Sequence, residues 1–394
     1  MSDAETSAHA HTIARLPELI AALPAPERRL AERLFQVVVS EGVTVPPAEM
    51  APWLEHTFGS VEAVLRQRII RVTNRWTFEG ATFNQLRSHR PNSGASQRSA
   101  EVPPEVRERI AHAVGDDFCR PETHTPADSF GRVYGRHSVT SANVAKADGW
   151  HGVAIFDQHD PLALDGELVA DVLAVAGKWA ALAHAADPAA RHLFVLWNCL
   201  WRAGASLIHG HAQMTLSATM AQAKVELWRG AAVRYHSETS GDYFADLAAI
   251  YAALGLAFGG VSDGTHGFAS LTPVKEREVT LLAPQPAATL APAALPDALA
   301  TLAGPLWQVL RVAREELGVL SFNVAVFGPP LAMPDDTAGN PADDAGWAGF
   351  PLVARFVDRG SPLSTTADVA TLELFGSSVI ASDPFDVARA MRNG

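Results

Sequence analysis

Hydrophobic spacing divides the chain into helical and extended stretches. Leu16, Leu19, Ile20 and Leu23, followed by Leu30, Leu34 and the pair Val37-Val38, recur at helical spacing and predict a helical segment over residues 10–70. Arg71 to Thr77 reads as a strand, and the polar, proline-bearing residues 92–107 read as a loop. From Gly166 to Ala186, residues Leu168, Val172, Leu173, Val175 and Trp179 fall on one side of an amphipathic helix. The apolar run from His192 to Trp197 reads as a buried strand. A small, turn-like stretch, Arg202-Ala203-Gly204-Ala205-Ser206, leads from it to a second strand predicted over Ile208 to Leu216.

The pattern continues with a mainly helical region from Ala221 to Tyr251, then strands over Phe268–Pro273 and Glu278–Ala283. A Pro/Ala-rich connector, Gln285 to Pro296, precedes a helix over Leu299–Leu317 and strands over Ser321–Phe327 and Phe350–Phe356, with a loop over residues 331–348. Strand pair, helix, strand, strand repeats the order of the first half. Three regions follow from this reading: 1–70 as an N-terminal helical segment, 71–220 as one half and 221–394 as a second.

The second strand of the first half carries the chemistry. Side chains alternate across a strand, so His209, His211 and Gln213 share one face, while Ile208, Ala212 and Met214 take the apolar one. A neutral imidazole can attack phosphorus and form a covalent phosphoramidate. An unperturbed His pKa of roughly 6.5 makes that form available at neutral pH. Such a nucleophile needs a partner to fix its tautomer and donors to hold phosphate oxygens. Two imidazoles and an amide beside a Gly-Ala-Ser turn can meet both needs.

Asn198, Gly204, Ser206, His209, His211 and Gln213 fit N-x5-G-x-S-x2-H-x-H-x-Q. This resembles the active-site motif of the galactose-1-phosphate uridylyltransferase branch of the histidine triad superfamily, most strongly over residues 71–217. The resemblance implies an α+β fold of two related histidine-triad-like halves, each an antiparallel sheet with helices. It makes His211 the residue that carries the nucleotide, with the backbone around His209 orienting it and Ser206 and Gln213 contacting the phosphates. Arg87 and Arg90, in Arg87-Ser88-His89-Arg90-Pro91, look like the family's arginines near the nucleotide phosphates, and Asn143 falls where the family places residues near the nucleoside. Asn198 and Gly204 complete the substrate-binding set.

The family often holds a structural zinc with a Cys-x-x-Cys pair, a distant His and the first motif His. The corresponding residues here are Asp116, Cys119, His159 and His209, with His124 a spare candidate in the same loop. A carboxylate in place of one thiolate is acceptable to zinc, which takes S, N and O donors tetrahedrally. A second family metal site uses histidines near a final strand, but Phe350–Phe356 has none and Phe327 stands near another such position. The family's sugar-binding segment is not recognisable in Leu372-Glu373-Leu374-Phe375-Gly376.

Composition narrows the partners. A net charge of −12 over 394 residues argues against a nonspecific nucleic-acid or membrane-surface role, which wants a basic face. It leaves a phosphate ligand open, because Arg87, Arg90 and Arg202 supply local positive charge. With only Cys119 and Cys199, no disulfide framework is available and a reducing compartment is expected. The first residues are polar and acidic and no uninterrupted apolar stretch spans a bilayer, so a cytoplasmic location is expected. The resemblance further implies a homodimer and no organic cofactor.

These observations predict transfer of a nucleoside monophosphate through His211 from a nucleotide donor to a sugar phosphate. A phosphorylase acting on a dinucleoside polyphosphate or a nucleoside diphosphate sugar with inorganic phosphate, and a nucleotide-binding protein without turnover, are the alternatives. The base, uridine or adenosine, is left open.

Overall fold

The computed structural model describes residues 11–89, 101–260, 264–285, 287–333, 344, 346–367 and 369–394. The described residues form thirteen strands: β1 (Phe35–Val43), β2 (Arg66–Asn74), β3 (Gly80–Phe83), β4 (Ser138–Ala142), β5 (Trp150–Phe156), β6 (Ala190–Cys199), β7 (His211–Ala218), β8 (Ala257–Gly260), β9 (His266–Ala269), β10 (Glu276–Ala283), β11 (Phe322–Phe327), β12 (Leu352–Asp358) and β13 (Ser378–Ile380). They form a nine-stranded sheet of order β4-β5-β7-β6-β11-β12-β10-β9-β8 and a four-stranded sheet of order β1-β2-β3-β13. The large sheet is antiparallel throughout, and the small one is antiparallel except for the parallel pair β3–β13.

The two halves meet edge to edge. The first contributes β4, β5, β7 and β6, the second contributes β11, β12, β10, β9 and β8, and β6 pairs with β11 from Phe194↔Phe327 to Cys199↔Phe322. The α+β, two-half architecture is therefore realised as one continuous sheet rather than two separate ones. Sharing the seam removes two exposed strand edges.

The Gly166–Ala186 helix covers one face of the first half. Its start is set by Asp165, whose carboxylate accepts from Leu168 N at 2.8 Å. Trp179 is fully buried, and a Cβ added at Gly152 of β5 would sit 2.7 Å from its ring, so glycine there lets the helix lie close to the sheet. The helix is long and apolar enough to cross a bilayer, but 61% of that span is buried inside the fold, as a core helix would be.

Three predicted elements differ. Residues 10–70 are helical at Leu16–Ala22, Ala25–Leu34, Ala51–Phe58 and Val61–Leu65, but Phe35–Val43 is a strand paired with β2 over Phe35↔Asn74 to Val43↔Arg66. Val37, Val38 and Val39 are β-branched and favour the pleated conformation once a partner strand is present. Pro104–His112, partly inside the expected loop, is a helix with proline at its first position and Val106 and Ile110 buried. β7 begins at His211, two residues beyond His209, so His209 belongs to the preceding turn.

A buried ion cluster joins the two sheets. Arg355 of β12 donates to Glu278 of β10 (2.7 Å) and to Glu79 (2.9 Å), while Trp228 Nε1 donates to the other oxygen of Glu79 (3.0 Å). Elsewhere, burial against Trp347 lowers the His192 pKa to about 4. A histidine kept neutral in the fold but protonated in the unfolded chain contributes stability above its unfolded value, and that stability is lost as pH falls through the folded one. Thermal stability should therefore fall between roughly pH 6.5 and pH 4, by about 3 kcal/mol from this residue. In His192→Phe, melting followed by circular dichroism should show a shallower acid slope; an unchanged slope would remove His192 as its source.

Candidate active site

β6 delivers Asn198 and Cys199 to the site and then turns sharply. Leu200 has φ +65° and ψ 167°, a conformation that L residues rarely adopt and that costs of order 1–3 kcal/mol. Its side chain is buried, and its carbonyl accepts from Ala203 N (3.1 Å) and Ala205 N (3.2 Å). Gly204 follows at φ +95°, where glycine relieves the strain another residue would carry. Ser206 is exposed on the loop that runs on to His209.

The His209-Gly210-His211 backbone is held against β5 and the loop after it. Gly210 N donates to His159 O (3.1 Å), and Gly210 O accepts from Phe156 N (3.0 Å). A Cβ at Gly210 would lie 2.6 Å from the Phe156 ring, so only glycine allows this approach.

His211 is 5% exposed. Its Nδ1 lies 2.8 Å from His209 O, and a carbonyl can only accept, so Nδ1 carries the proton and Nε2 the lone pair. Burial lowers its pKa, which favours the neutral ring, and the edge of Phe118 packs on it with ring centres 5.1 Å apart. The arrangement is an imidazole with one nitrogen tied down and the other available as a nucleophile.

His209 uses the opposite assignment. Its Nε2 donates to Phe156 O (2.9 Å), leaving the Nδ1 lone pair free to face Cys119 Sγ (3.4 Å), His159 Nδ1 (3.2 Å) and Asp116 Oδ1 (3.6 Å). His159 likewise donates from Nε2 to Ile110 O (3.0 Å), so its Nδ1 is also a lone pair. Cys119 Sγ lies 3.3 Å from it. Asp116 Oδ1 caps Phe118 N and Cys119 N, whereas Asp116 Oδ2 is buried without a hydrogen-bond partner. The four ligand atoms lie within 4.8 Å of one another. Two nitrogen lone pairs facing each other at this range repel unless a cation lies between them, and carbonyls fixing the outer nitrogens are the usual support of a metal-binding histidine. His124 bonds to Thr123 Oγ1 (2.8 Å) and is not among the four.

On β7, Gln213 is two residues beyond His211. Gln213 Oε1 accepts from His151 Nε2 (2.9 Å) and from Asn143 Nδ2 (3.4 Å). Asn198 Oδ1 accepts from Asn323 Nδ2 (2.7 Å), its cross-strand partner on β11, and Asn323 Nδ2 also reaches Ala203 O (2.9 Å). Arg359 Nη1 bonds the other oxygen of this pair, Asn323 Oδ1, and Arg202 Nε donates to Arg359 O (3.3 Å), so the second half braces the motif turn. Arg202 and Arg359 also line a cavity of about 440 Å³ together with Lys275, Ser361 and Ser364.

Arg87 lies in the 3-10 turn Gln85–His89 after β3, and its N donates to Asn84 O (3.0 Å). Arg90 lies outside the described residues. The structure thus brings Asp116, Cys119, His159 and His209 into one cluster, sets His211 beside it through the His209 carbonyl, and joins Asn143 to Gln213. Sequence reasoning missed His151, Phe118 and Asn323. A histidine inside the apolar β5 segment was the signal for the first; the others emerge only from long-range packing.

No family model and no curated protein matches this sequence. Among solved structures, the chain is similar to an ADP-glucose phosphorylase from Arabidopsis thaliana with bound ADP-glucose (TM-score 0.59, 16% identity, covering 82% of this chain and 98% of that one). It is also similar to a GalT-like protein from Arabidopsis thaliana (0.54, 18%, 70% and 90%) and to a uridylyltransferase (0.52, 16%, 68% and 88%). The chain therefore has the fold of the GalT-like uridylyltransferase and phosphorylase structures, with the two-half α+β plan implied by its motif.

Proposed function

We propose that this chain is a nucleotidyltransferase that carries a nucleoside monophosphate on His211 and passes it to a sugar phosphate. The observation that carries the reading is the His211 imidazole, held by Nδ1 on His209 O with Nε2 unprotonated. In the first step the Nε2 lone pair attacks the α-phosphorus of a nucleoside diphosphate sugar. The P–N bond forms, the bond from phosphorus to the bridging oxygen breaks, and the sugar phosphate leaves with the electron pair. The ring becomes cationic, and the His209 carbonyl dipole stabilises it through the retained Nδ1–H. In the second step an acceptor phosphate oxygen attacks phosphorus and the electron pair returns to Nε2. Ser206, Gln213, Arg87 and Arg90 are the donors assigned to the phosphates, with Asn198 and Gly204 shaping the turn and Asn143 at the nucleoside end. Arg202 and Arg359 suit the cavity beside the motif to a phosphorylated acceptor.

Asp116, Cys119, His159 and His209 would hold a structural zinc. Ligand separations of roughly 3.3–3.6 Å follow from zinc–nitrogen and zinc–sulfur bonds at tetrahedral angles, and the observed N···N and N···S separations are 3.2–3.4 Å. When bound, the ion would tie the 116–119 turn to the motif turn and so position the backbone that orients His211. Carbohydrate metabolism, the cytoplasm as location and a homodimeric state belong to this reading, as does the three-part division at residues 70 and 220.

The test is isotope exchange without any second substrate. Labelled glucose 1-phosphate should enter ADP-glucose or UDP-glucose in the presence of the enzyme alone. Absence of exchange with both, while net transfer is observed, would contradict a covalent carrier.

A further inference from the structure

Gln213 is held in one orientation by a relay that begins outside the motif. Val153 of β5 is the Cα partner of Gln213 on β7, so His151, two residues away on the same sheet face, is its diagonal neighbour. His151 is 5% exposed. Its Nδ1 accepts from Ala147 N (3.0 Å), which leaves the proton on Nε2, and Nε2 donates to Gln213 Oε1 (2.9 Å). Asn143 packs beside this bond: its Oδ1 accepts from Ala145 N (3.0 Å), and its Nδ2 lies 3.2 Å from His151 Nε2 and makes a longer bond to the same Gln213 oxygen (3.4 Å). Two donors converge on Oε1, and among the described residues nothing accepts from the Gln213 NH2 group.

We propose that His151, supported by Asn143, is a positioning residue for the transfer step: it locks the Gln213 amide with its NH2 facing the phosphoryl group on His211. The inference rests on the nucleotidyl-transfer reading above. An amide locked this way is a donor only. It can bind phosphate oxygens in the transition state, but its carbonyl is occupied and cannot orient a water molecule for attack. The carrier is thereby kept for an acceptor that brings its own ionised oxygen, a phosphate ester or inorganic phosphate, rather than for water. Without the His151 donor the amide is free to turn over and present its oxygen to the phosphate, which repels it.

The experiment compares wild type, His151→Leu, His151→Gln and Asn143→Ala in single-turnover labelling with ADP-glucose, or UDP-glucose if that labels wild type faster. Donor Kd, melting temperature and the lifetime of the labelled enzyme in water are measured alongside. His151→Leu should label about 10- to 100-fold more slowly, with Kd changed less than about threefold and the labelled form hydrolysing faster. His151→Gln, which keeps an N–H at the same reach, should recover most of the rate, and Asn143→Ala should show a smaller loss. Wild-type rates in both His151→Leu and Asn143→Ala would overturn the proposal, as would a His151→Gln variant as slow as His151→Leu. Should His151→Leu fail to fold, His151→Gln and Asn143→Ala still decide it. If wild type itself takes no label, the transfer reading fails and this inference with it, an outcome distinct from labelling that is indifferent to His151.

Discussion

His211→Asn should abolish nucleotide labelling and lower turnover by about 10⁴-fold or more, while leaving the protein folded. Asparagine places an N–H close to where Nδ1 sits, so the bond to His209 O can persist, but nothing replaces the Nε2 lone pair. The volume lost is small, and the Phe118 edge contact is the main packing interaction removed. Melting temperature should therefore move by only a few degrees, roughly the effect of a 1–2 kcal/mol loss in a chain of this size. Nucleotide affinity should also survive, because the donors proposed for the phosphates, on Ser206, Gln213 and the arginines, are untouched. Rapid quench with a labelled donor separates the two effects. Retained labelling in His211→Asn would place the nucleophile elsewhere.

The second large effect concerns the Asp116, Cys119, His159 and His209 cluster. Elemental analysis of purified protein should give one zinc per chain. Removing it with a chelator, or replacing His159 by alanine, should lower the melting temperature by at least about 5 °C, the consequence of losing some 3–5 kcal/mol. Without the ion the Cys119 thiol can donate to only one of the two facing Nδ1 lone pairs, and the buried Asp116 Oδ2 has no hydrogen-bond partner. Asp116→Cys, which restores a second thiolate, should tighten metal binding and raise resistance to the chelator. Metal-free protein that is indifferent to chelators, with His159→Ala as stable as wild type, would reject the site.

How far the sequence anticipated the structure depended on whether the determining interactions were local. The Gly166–Ala186 helix was legible to its ends because its cap, Asp165, and its apolar face lie within one segment. β1 was not, since Val37 and Val38 happen to continue a helical spacing and only pairing with β2 turns their β-branching into a strand. The strand–turn–strand plan of the motif is legible in its apolar and small residues, but the alternation that puts His209 on the strand is not realised, since the strand starts at His211. The close approach of Gly210 to Phe156, which keeps His209 in the turn, is a contact across more than 50 residues. The four possible metal ligands were assembled from resemblance, and they do converge. His151 and Asn323 escaped notice because their partners, Gln213 and Asn198, are reached only through the register of β5 with β7 and of β6 with β11. Residues acting inside one turn were readable; those acting across a strand pair were not.

The measurement that bears most directly on the central claim is the intact mass of the wild-type protein after incubation with nucleoside diphosphate sugars and dinucleoside polyphosphates. An acid-labile gain of one nucleoside monophosphate is expected, mapped to His211 and discharged by a sugar phosphate or inorganic phosphate. The mass of the adduct identifies the base, and the acceptor that discharges it separates transferase from phosphorylase. No gain in mass with any donor, from protein that binds the nucleotide saturably, would contradict it.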